Sequence, residues 1–568
     1  MKFELIGKNN YLEPIETVLI NREIDDIQSF MSISEKDVLH WSKLKNIERA
    51  VSCLLQHIKK GNKIFIQIDP DIDGNAAAAL LISHLTTIFP TIDIQWRLQE
   101  GKEHGIIIEN IPDNINLVIV PDAGSNQFKE HSLLKKSGVD IIVLDHHECD
   151  EESNDAIVVN SQISPEYSNK QFSGVGVVYK FCKALDDKLN VKLADKYLDL
   201  VAIGNIADSQ DMRSPETRYF AEKGLKNIKN KLIKELFKKQ SYSTKGVINI
   251  TSTSFYINPL LNACIRVGTM QEKEQMFRAL LESDEEIYYK RKNINEPIEK
   301  NTARILGNLK AKQDRMRNKG VELITERIDD KKLLSNKVLI VDTTEILHKN
   351  LNGLVANKLA ETYRRPTILF RKKEENEQIL RGSGRGYDKG IIKDLKQFLN
   401  NTNKFIFCEG HANAHGFEIE AQKLIEANEL INDQLGDFED IDYHQVDFVF
   451  TNKNIPKEFI LELSRHKDLW GYKVEEPLIA ITEVEINKDE IYLNGKTSKT
   501  LKFENWGIEY IKPFSNEDEW KTLKSKGERL VLNIVGKCTV NEWNGKIKPQ
   551  IAIEDYEVVK VKKKEFVF

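Results

Sequence analysis

Three short apolar runs in the first third of the chain each end in an aspartate. KIFIQI (63–68) leads into Asp69-Pro70-Asp71-Ile72-Asp73-Gly74, NLVIV (116–120) into Pro121-Asp122-Ala123-Gly124, and DIIVL (140–144) into Asp145-His146-His147. Runs of five or six β-favouring residues without polar alternation predict strands buried on both faces. Helical patterns lie among and after them: NAAAALLISHLTTIF (75–89), VGVVYKFCKALDDKL (175–189) and ADKYLDLVAIGNIAD (194–208). Strands alternating with helices imply a parallel sheet covered by helices, and such sheets place their sites at the carboxyl ends of the strands. The chain is therefore expected to gather acidic and imidazole groups at one sheet edge, with Asp208 joining them from the end of a helix.

A single aspartate at a strand end is ordinarily a turn residue or a helix cap, and DIDGNAAAA by itself reads as a cap. Three strand ends with the same chemistry argue otherwise. Carboxylates brought that close repel one another, and a bound dication relieves the repulsion. Aspartate oxygens with histidine nitrogens suit Mn²⁺ or Mg²⁺ better than a thiolate-loving ion.

The 568 residues leave room for about three or four domains. A content of 40% hydrophobic and 30% charged residues excludes a disordered chain, and no apolar run approaches a membrane span. Six scattered cysteines without a CxxC pair predict a reducing, cytoplasmic setting with neither a disulfide framework nor a structural zinc site. The net charge of −5 excludes a globally basic nucleic-acid coat but leaves local basic runs, among them 229–239, 310–320, 371–373 and 560–564.

Residues 1–45 form a polar lead-in with a short helical pattern, REIDDIQSFMSI. An α/β domain is expected over 46–250. A connecting helical segment follows over 251–330, with a long helix within the charged stretch 270–320. A second α/β unit spans 331–430, with KVLIVD (337–342) and PTILF (366–370) as strands around the helix LNGLVANKLAETY (351–363). From 440 to 568, short strands with Gly and Asn turns predict a small antiparallel barrel.

The motifs DPDIDG, PDAG, DHHE and AIGNIADSQDM resemble those of the DHH phosphoesterase superfamily. The remainder resembles the RecJ-type single-strand-specific exonucleases. It includes LINREIDDIQSF (19–30), FSGVGVVYKF (172–181), INPLLNACIRV (257–267), RGSGRG (381–386), EGHANAHGF (409–417) and two C-terminal segments, 468–477 and 535–555. The resemblance covers about residues 20 to 558. It implies a DHH parallel-sheet domain, a long connecting helix, a DHH-associated α/β domain and a C-terminal OB-like barrel that binds nucleic acid.

By the same resemblance, Asp71 and Asp122 hold one metal ion, and Asp73, Asp122, His146 and Asp208 hold a second, with Asp122 between them. His147 contacts the scissile phosphate or supports the metals. Asp145 orients a histidine, and Asp69 plays a supporting part. Arg97, Asn262, Arg266, Ser383, Arg385 and His411 are the implied substrate contacts. The implied reaction is two-metal hydrolysis of single-stranded DNA, 5′→3′, releasing 5′-mononucleotides in repair or recombination. Implied partners are single-stranded DNA and a single-strand-binding protein or helicase, with the enzyme a monomer. Trp470, Trp506 and Trp543 are either barrel core, the reading their residue type favours, or platforms for bases.

The sequence departs from the family pattern at Asn205, where threonine is usual, at Glu409 for the first glycine of a Gly-Gly-His motif, and at His415, Leu260 and Ile265. All proposed metal ligands are retained. Two other readings remain: a DHH phosphodiesterase for short oligonucleotides or cyclic dinucleotides, and a non-catalytic replication scaffold. The barrel after residue 440 argues against the first and the retained ligands against the second.

Overall fold

A computed structural model describes residues 1–99, 104–149, 151–436, 443–495, 499–543 and 545–562. The chain divides into two compact units. One comprises Gln28–Met316 with Gly471–Lys473, and the other comprises Met1–Ile27, Arg317–Trp470 and the chain from Val474 onward.

The first unit is built on five parallel strands: β1 (Ile64–Ile68), β2 (Ile94–Leu98), β3 (Leu117–Pro121), β4 (Asp140–Asp145) and β5 (Ile157–Asn160). Their spatial order is β2-β1-β3-β4-β5. The chain runs outward from β1 to β2 and then crosses back to β3, so the winding reverses between β1 and β3. Parallel sheets open a crevice at such a reversal, beyond the carboxyl ends of the strands. Every residue of β1 and β3 is buried, as their unbroken apolar runs require. Helix α1 (Ile47–Lys59) precedes the sheet, and α2 (Ile72–Ile88) follows β1 directly. Buried Ala76–Ala79 make a full turn of α2 slim on every side, and the helix packs against α3 (Gly174–Leu189) and α4 (Leu198–Ala207). Two further helices, α5 (Asn258–Val267) and α6 (Met270–Leu280), also pack against α2.

The long helix expected within 270–320 is α7 (Ile298–Asp330), which starts later than the charge pattern suggests. Between α6 and α7 stands an antiparallel hairpin, β6 (Glu286–Tyr289) and β7 (Ile294–Pro297). Ile287, Tyr288 and Tyr289 favour strand, and Asn293 takes the left-handed turn conformation (φ 53°), which together override the helix-forming charges around them. The helical pattern expected in REIDDIQSFMSI is confined to Ile27–Met31, and an eight-residue helix, Pro14–Asn21, precedes it.

The second unit holds two large sheets and a small parallel pair of Lys2–Leu5 with Tyr443–Val446. The first contains β8 (Leu339–Asp342), β9 (Thr367–Lys373), β10 (Asn376–Arg385), β11 (Phe405–His411) and β12 (Ala414–Glu420), in the order β11-β12-β10-β9-β8. Helix α8 (Asn352–Tyr363) lies against β9 and β10. The second is the C-terminal sheet: β13 (Phe448–Thr451), β14 (Ile479–Asn487), β15 (Tyr492–Asn494), β16 (Lys499–Asn505), β17 (Ile508–Ser515), β18 (Arg529–Trp543) and β19 (Lys546–Lys562), ordered β13-β14-β18-β19-β17-β16-β15. The Asn505 side-chain amide donates to the Glu485 carbonyl, bringing the end of β16 back to β14. The sheet is mixed rather than antiparallel as expected, because β13 pairs with β14 and β17 with β19 in parallel. Trp470 is buried in the core, but Trp506 is 62% exposed at the β16–β17 turn, contrary to the core reading. The Trp543 side chain lies outside the described residues.

No helix among the described residues is long and apolar enough to cross a membrane. All six cysteines are free thiols.

Candidate metal centre

The carboxyl ends of β1, β3 and β4 bring the acidic motifs together at the winding reversal. Asp71 caps α2, its carboxylate accepting from the Gly74 amide at 2.8 Å. The cap reading of DIDG is therefore correct, yet the same carboxylate also groups with Asp69 and Asp122, all within 4.8 Å. Asp73, in the first turn of α2, accepts from the Gly174 and Val175 amides at 2.6 and 3.2 Å. These are the opening amides of α3, where backbone dipoles favour negative charge.

His146 joins the groups. Its Nε2 lies 3.3 Å from Asp122 Oδ1, 3.5 Å from Asp208 Oδ2 and 4.0 Å from Asp73 Oδ2. Asp73, His146 and Asp208 form one set with metal-binding spacing, and Asp122, His146 and His147 form another. Asp122 stands at the centre in a left-handed backbone conformation (φ 67°), a strained state that aspartate tolerates better than most residues. Its Oδ1 is buried without a hydrogen-bond partner. Two glycines make room for the carboxylates: a Cβ at Gly174 would lie 2.1 Å from Asp122 Oδ1, and one at Gly204 would lie 2.2 Å from Asp73 Oδ1.

Without a cation this assembly is electrostatically frustrated. Burial, reinforced by Asp69, pushes the Asp71 carboxyl up to about 6. Burial, reinforced by Asp208 and Asp71, pushes Asp73 up to about 8, and burial with Asp73 drives Asp122 well above the ordinary carboxylate range. The carboxylates thus retain protons unless a positive charge replaces them. An orphaned buried oxygen, a glycine-lined cradle and an oxygen-plus-imidazole donor set together fit hard divalent ions.

Asp145 does different work. Its carboxylate accepts from the amides of Ser125, His146 and His147 and pairs with His147 Nδ1 at 2.8 Å. Burial alone would raise its pKa, but the bond to His147 holds it far below the usual range. Burial would lower the His147 pKa, yet the bond to Asp145 carries it up to about 10. The result is an imidazolium whose ring remains 58% exposed at the mouth of the cluster.

Other groups escaped sequence reasoning. His104 Nδ1 bonds Asp69 at 2.8 Å from 35 positions away, and the Gln210 amide donates to Asp208. Asn160 bonds Ser125 Oγ and the His147 carbonyl, fixing the turn below the histidines. Gln210 lies within AIGNIADSQDM and Asn160 ends the apolar strand β5, but neither is a residue type that by itself signals a metal site, and His104 is marked only as a histidine beside a glycine. Asn205 is buried and accepts from the Ser173 amide, anchoring the start of α3.

The implied substrate residues divide between the units. Arg97, exposed on edge strand β2, pairs in register with Gln67, two residues before Asp69. Asn262 and Arg266 are half-buried one turn apart on α5, and burial lowers the Arg266 pKa. Neighbouring Leu261 and Ile265 line a small internal space with Ile72, Asn75 and Ala76, so α5 runs beside the first turn of α2. Apolar Ile265 thus meets a largely apolar wall, and Leu260 is buried.

Ser383, Arg385 and His411 belong to the second unit and meet at one end of its first sheet. Arg385 pairs with Ala414, which pairs with His411, while Ser383 pairs with Gly416 and Gly416 with Glu409. A Cβ at Gly353 would come within 2.4 Å of Arg385 Nη2, so this glycine opens the first turn of α8 to the guanidinium. His415 lies on the opposite face, buried against Gly384, and burial pushes its pKa down to about 4.

Comparison with known proteins places this geometry. The DHH family, N-terminal domain, matches residues 63–205, and the RecJ OB domain matches residues 446–555. A Bacillus subtilis (strain 168) protein, the SPbeta prophage-derived candidate single-strand DNA-specific exonuclease YorK, is 51% identical over 100% of both chains. The single-stranded-DNA-specific exonuclease RecJ of the same organism is 26% identical over 96% of this chain and 68% of its own. The crystal structure of Thermus thermophilus RecJ in complex with Mn²⁺ superposes with a TM-score of 0.72 at 18% identity, covering 100% of this chain and 80% of that one. Its complex with Mg²⁺ gives 0.67 at 18% identity over 99% and 78%. The chain belongs to the RecJ family of single-strand-DNA-specific exonucleases within the DHH superfamily.

Proposed function

We propose that this protein is a metal-dependent exonuclease that hydrolyses single-stranded DNA from the 5′ end, releasing 5′-mononucleotides in repair or recombination. The observation that carries the reading is the convergence of Asp71, Asp73, Asp122, His146 and Asp208 around a buried Asp122 oxygen that accepts no hydrogen bond. Asp71 and Asp122 would hold one Mn²⁺ or Mg²⁺ ion, and Asp73, Asp122, His146 and Asp208 the other. Asp69 lies close enough to Asp71 and Asp122 to share in the first set. Two such ions acidify a water and balance charge on the entering and leaving oxygens of a phosphodiester.

The chain's own groups do the rest. The α3 amides hold Asp73 in place. Asp145 accepts from His147 Nδ1 and so orients its exposed ring, which would face a phosphate oxygen. Arg97, Asn262 and Arg266 would fasten the strand near the cluster, with Ser383, Arg385 and His411 as further phosphate contacts. No side-chain nucleophile is required. We assign 46–250 as the catalytic domain, 251–330 as the connector, 331–430 as the DHH-associated domain and 440–568 as the nucleic-acid-binding barrel. The enzyme would act as a cytoplasmic monomer, with single-stranded DNA as substrate and a single-strand-binding protein or helicase as partner.

The test is digestion of 5′- and 3′-labelled single-stranded DNA and RNA with Mn²⁺, Mg²⁺ or chelator, using wild type and Asp122→Ala. Stepwise release from the 5′ end of DNA, abolished by chelator and by the substitution, supports the reading. Undiminished hydrolysis by Asp122→Ala refutes it.

A further inference from the structure

A second group of metal-binding side chains stands at the opposite edge of the first unit's sheet. Cys53 and His57 lie four residues apart on α1, so their side chains share one face of that helix. Asp140 opens β4, the strand that Asp145 closes. One donor atom from each of Cys53, His57 and Asp140 lies within 4.8 Å of the other two. The two ends of a six-residue strand are about 17 Å apart, so this group is separate from the carboxylate cluster.

The imidazole is held in place from two sides. His57 is 7% exposed, and its Nε2 lies 3.0 Å from Asp140 Oδ2. Its Nδ1 meets the Asn62 side-chain amide at 2.9 Å, and the Asn62 backbone amide donates to the His57 carbonyl at 3.0 Å. Histidines that bind metals keep their second nitrogen on such a partner. The Asn62 amide, turned over, accepts from Nδ1–H and leaves the Nε2 lone pair for an ion. Asp140 Oδ1 also pairs with Lys135 at 2.8 Å, but both side chains are about half exposed, and a pair of that kind is weak.

Thiolate, imidazole and carboxylate are the ligands zinc takes, whereas Mn²⁺ and Mg²⁺ favour oxygen. Tetrahedral zinc holds its donors roughly 3.5 Å apart, so these three need to close in by no more than about 1 Å. The sequence carries no paired-cysteine signal because one ligand alone is a cysteine, and Asp140 comes 83 positions after His57.

We propose that Cys53, His57 and Asp140 bind a zinc ion that clamps α1 to the first residue of β4, with water as the fourth ligand. Binding releases the Cys53 thiol proton to solvent, moves the His57 ring proton to Nδ1 against Asn62, and frees Lys135 from Asp140. The ion differs in kind and place from those of the nuclease reading and does not depend on them.

Cobalt replaces zinc at such sites and reports a thiolate ligand by sulfur-to-metal charge-transfer absorption in the near ultraviolet. The test titrates Co²⁺ into the full chain in excess Mg²⁺ and then adds Zn²⁺. The wild type should show the band, and Zn²⁺ should abolish it. Cys53→Ser should lose the band yet match wild type in Mn²⁺-dependent hydrolysis of single-stranded DNA. Asn62→Ala should weaken cobalt binding by about 10–100-fold. Cys149→Ser, which removes the half-buried thiol two positions after His147, should keep the band. Should Cys53→Ser fail to fold, Asp140→Asn takes its place and must weaken binding at least as much as Asn62→Ala does. No band in folded wild type, a band that survives Cys53→Ser, or a band lost in Cys149→Ser overturns the site.

Discussion

Gly204→Ala separates site geometry from stability more cleanly than removal of a ligand. Gly204 lies inside α4, and a Cβ there would lie 2.2 Å from Asp73 Oδ1 and 2.5 Å from Val175 Cγ1. Ordinary contacts need about 1 Å more, and neither neighbour is free to give. Asp73 is tied to the Gly174 and Val175 amides, and Val175 is fully buried in the first turn of α3. Overpacking of this kind costs about 1–3 kcal/mol, whereas replacing glycine by alanine inside a helix returns about 1 kcal/mol. The net loss of about 0–2 kcal/mol leaves a domain of ordinary stability folded. A misplacement of about 1 Å at a catalytic group can nevertheless cost on the order of 100-fold in rate. Initial rates on labelled single-stranded DNA with Mn²⁺, paired with thermal unfolding in chelator, read both quantities. A drop of that order with a melting temperature within a few degrees of wild type is expected. A rate within a few-fold of wild type would refute the claim that Asp73 must sit where Gly204 lets it.

The carboxylate cluster also sets a pH dependence. In chelator the folded protein keeps protons on Asp71 up to about pH 6 and on Asp73 up to about pH 8, which the unfolded chain releases near pH 4. Their contribution to stability is complete below about pH 4 and is lost as pH rises through those values, so the melting temperature in chelator should fall from about pH 5 to about pH 8. The gain on adding Mn²⁺ should grow over the same window, and a flat profile in both conditions contradicts the assignment. The two tryptophans should behave oppositely. Trp470→Ala, at a 3% exposed core position, should cost about 3–5 kcal/mol in denaturant unfolding. Trp506→Ala, at an exposed turn where Lys453 sits over the ring at 5.9 Å, should cost less than about 0.5 kcal/mol and instead weaken oligonucleotide binding.

The legible part of this protein is the part where one principle acts alone. Buried parallel strands must be continuous apolar runs, so β1, β3 and β4 stand out, and the chemistry at their ends follows from where parallel sheets open. Asp71 illustrates the limit. Cap and ligand-spaced cluster call for the same residue at the same place, so the local pattern could not separate them. His104 and Asn160 act across 35 positions, each to its partner, and only the fold brings them into range. The β6–β7 hairpin was hidden because its charges favour helix while its isoleucine and tyrosines favour strand, and Asn293 decides the outcome. Trp506 was misjudged for a related reason: residue type favours burial, but its φ of 50° places it at a turn tip.

The central claim is that Asp122 stands between two divalent ions held by the ends of three strands and one helix. Anomalous diffraction at the manganese edge from crystals soaked in Mn²⁺ measures this directly. Two peaks are expected, one bounded by Asp71 and Asp122 and the other by Asp73, Asp122, His146 and Asp208. No peak within bonding distance of Asp122, or a single ion that leaves Asp71 or Asp208 unengaged, would contradict it.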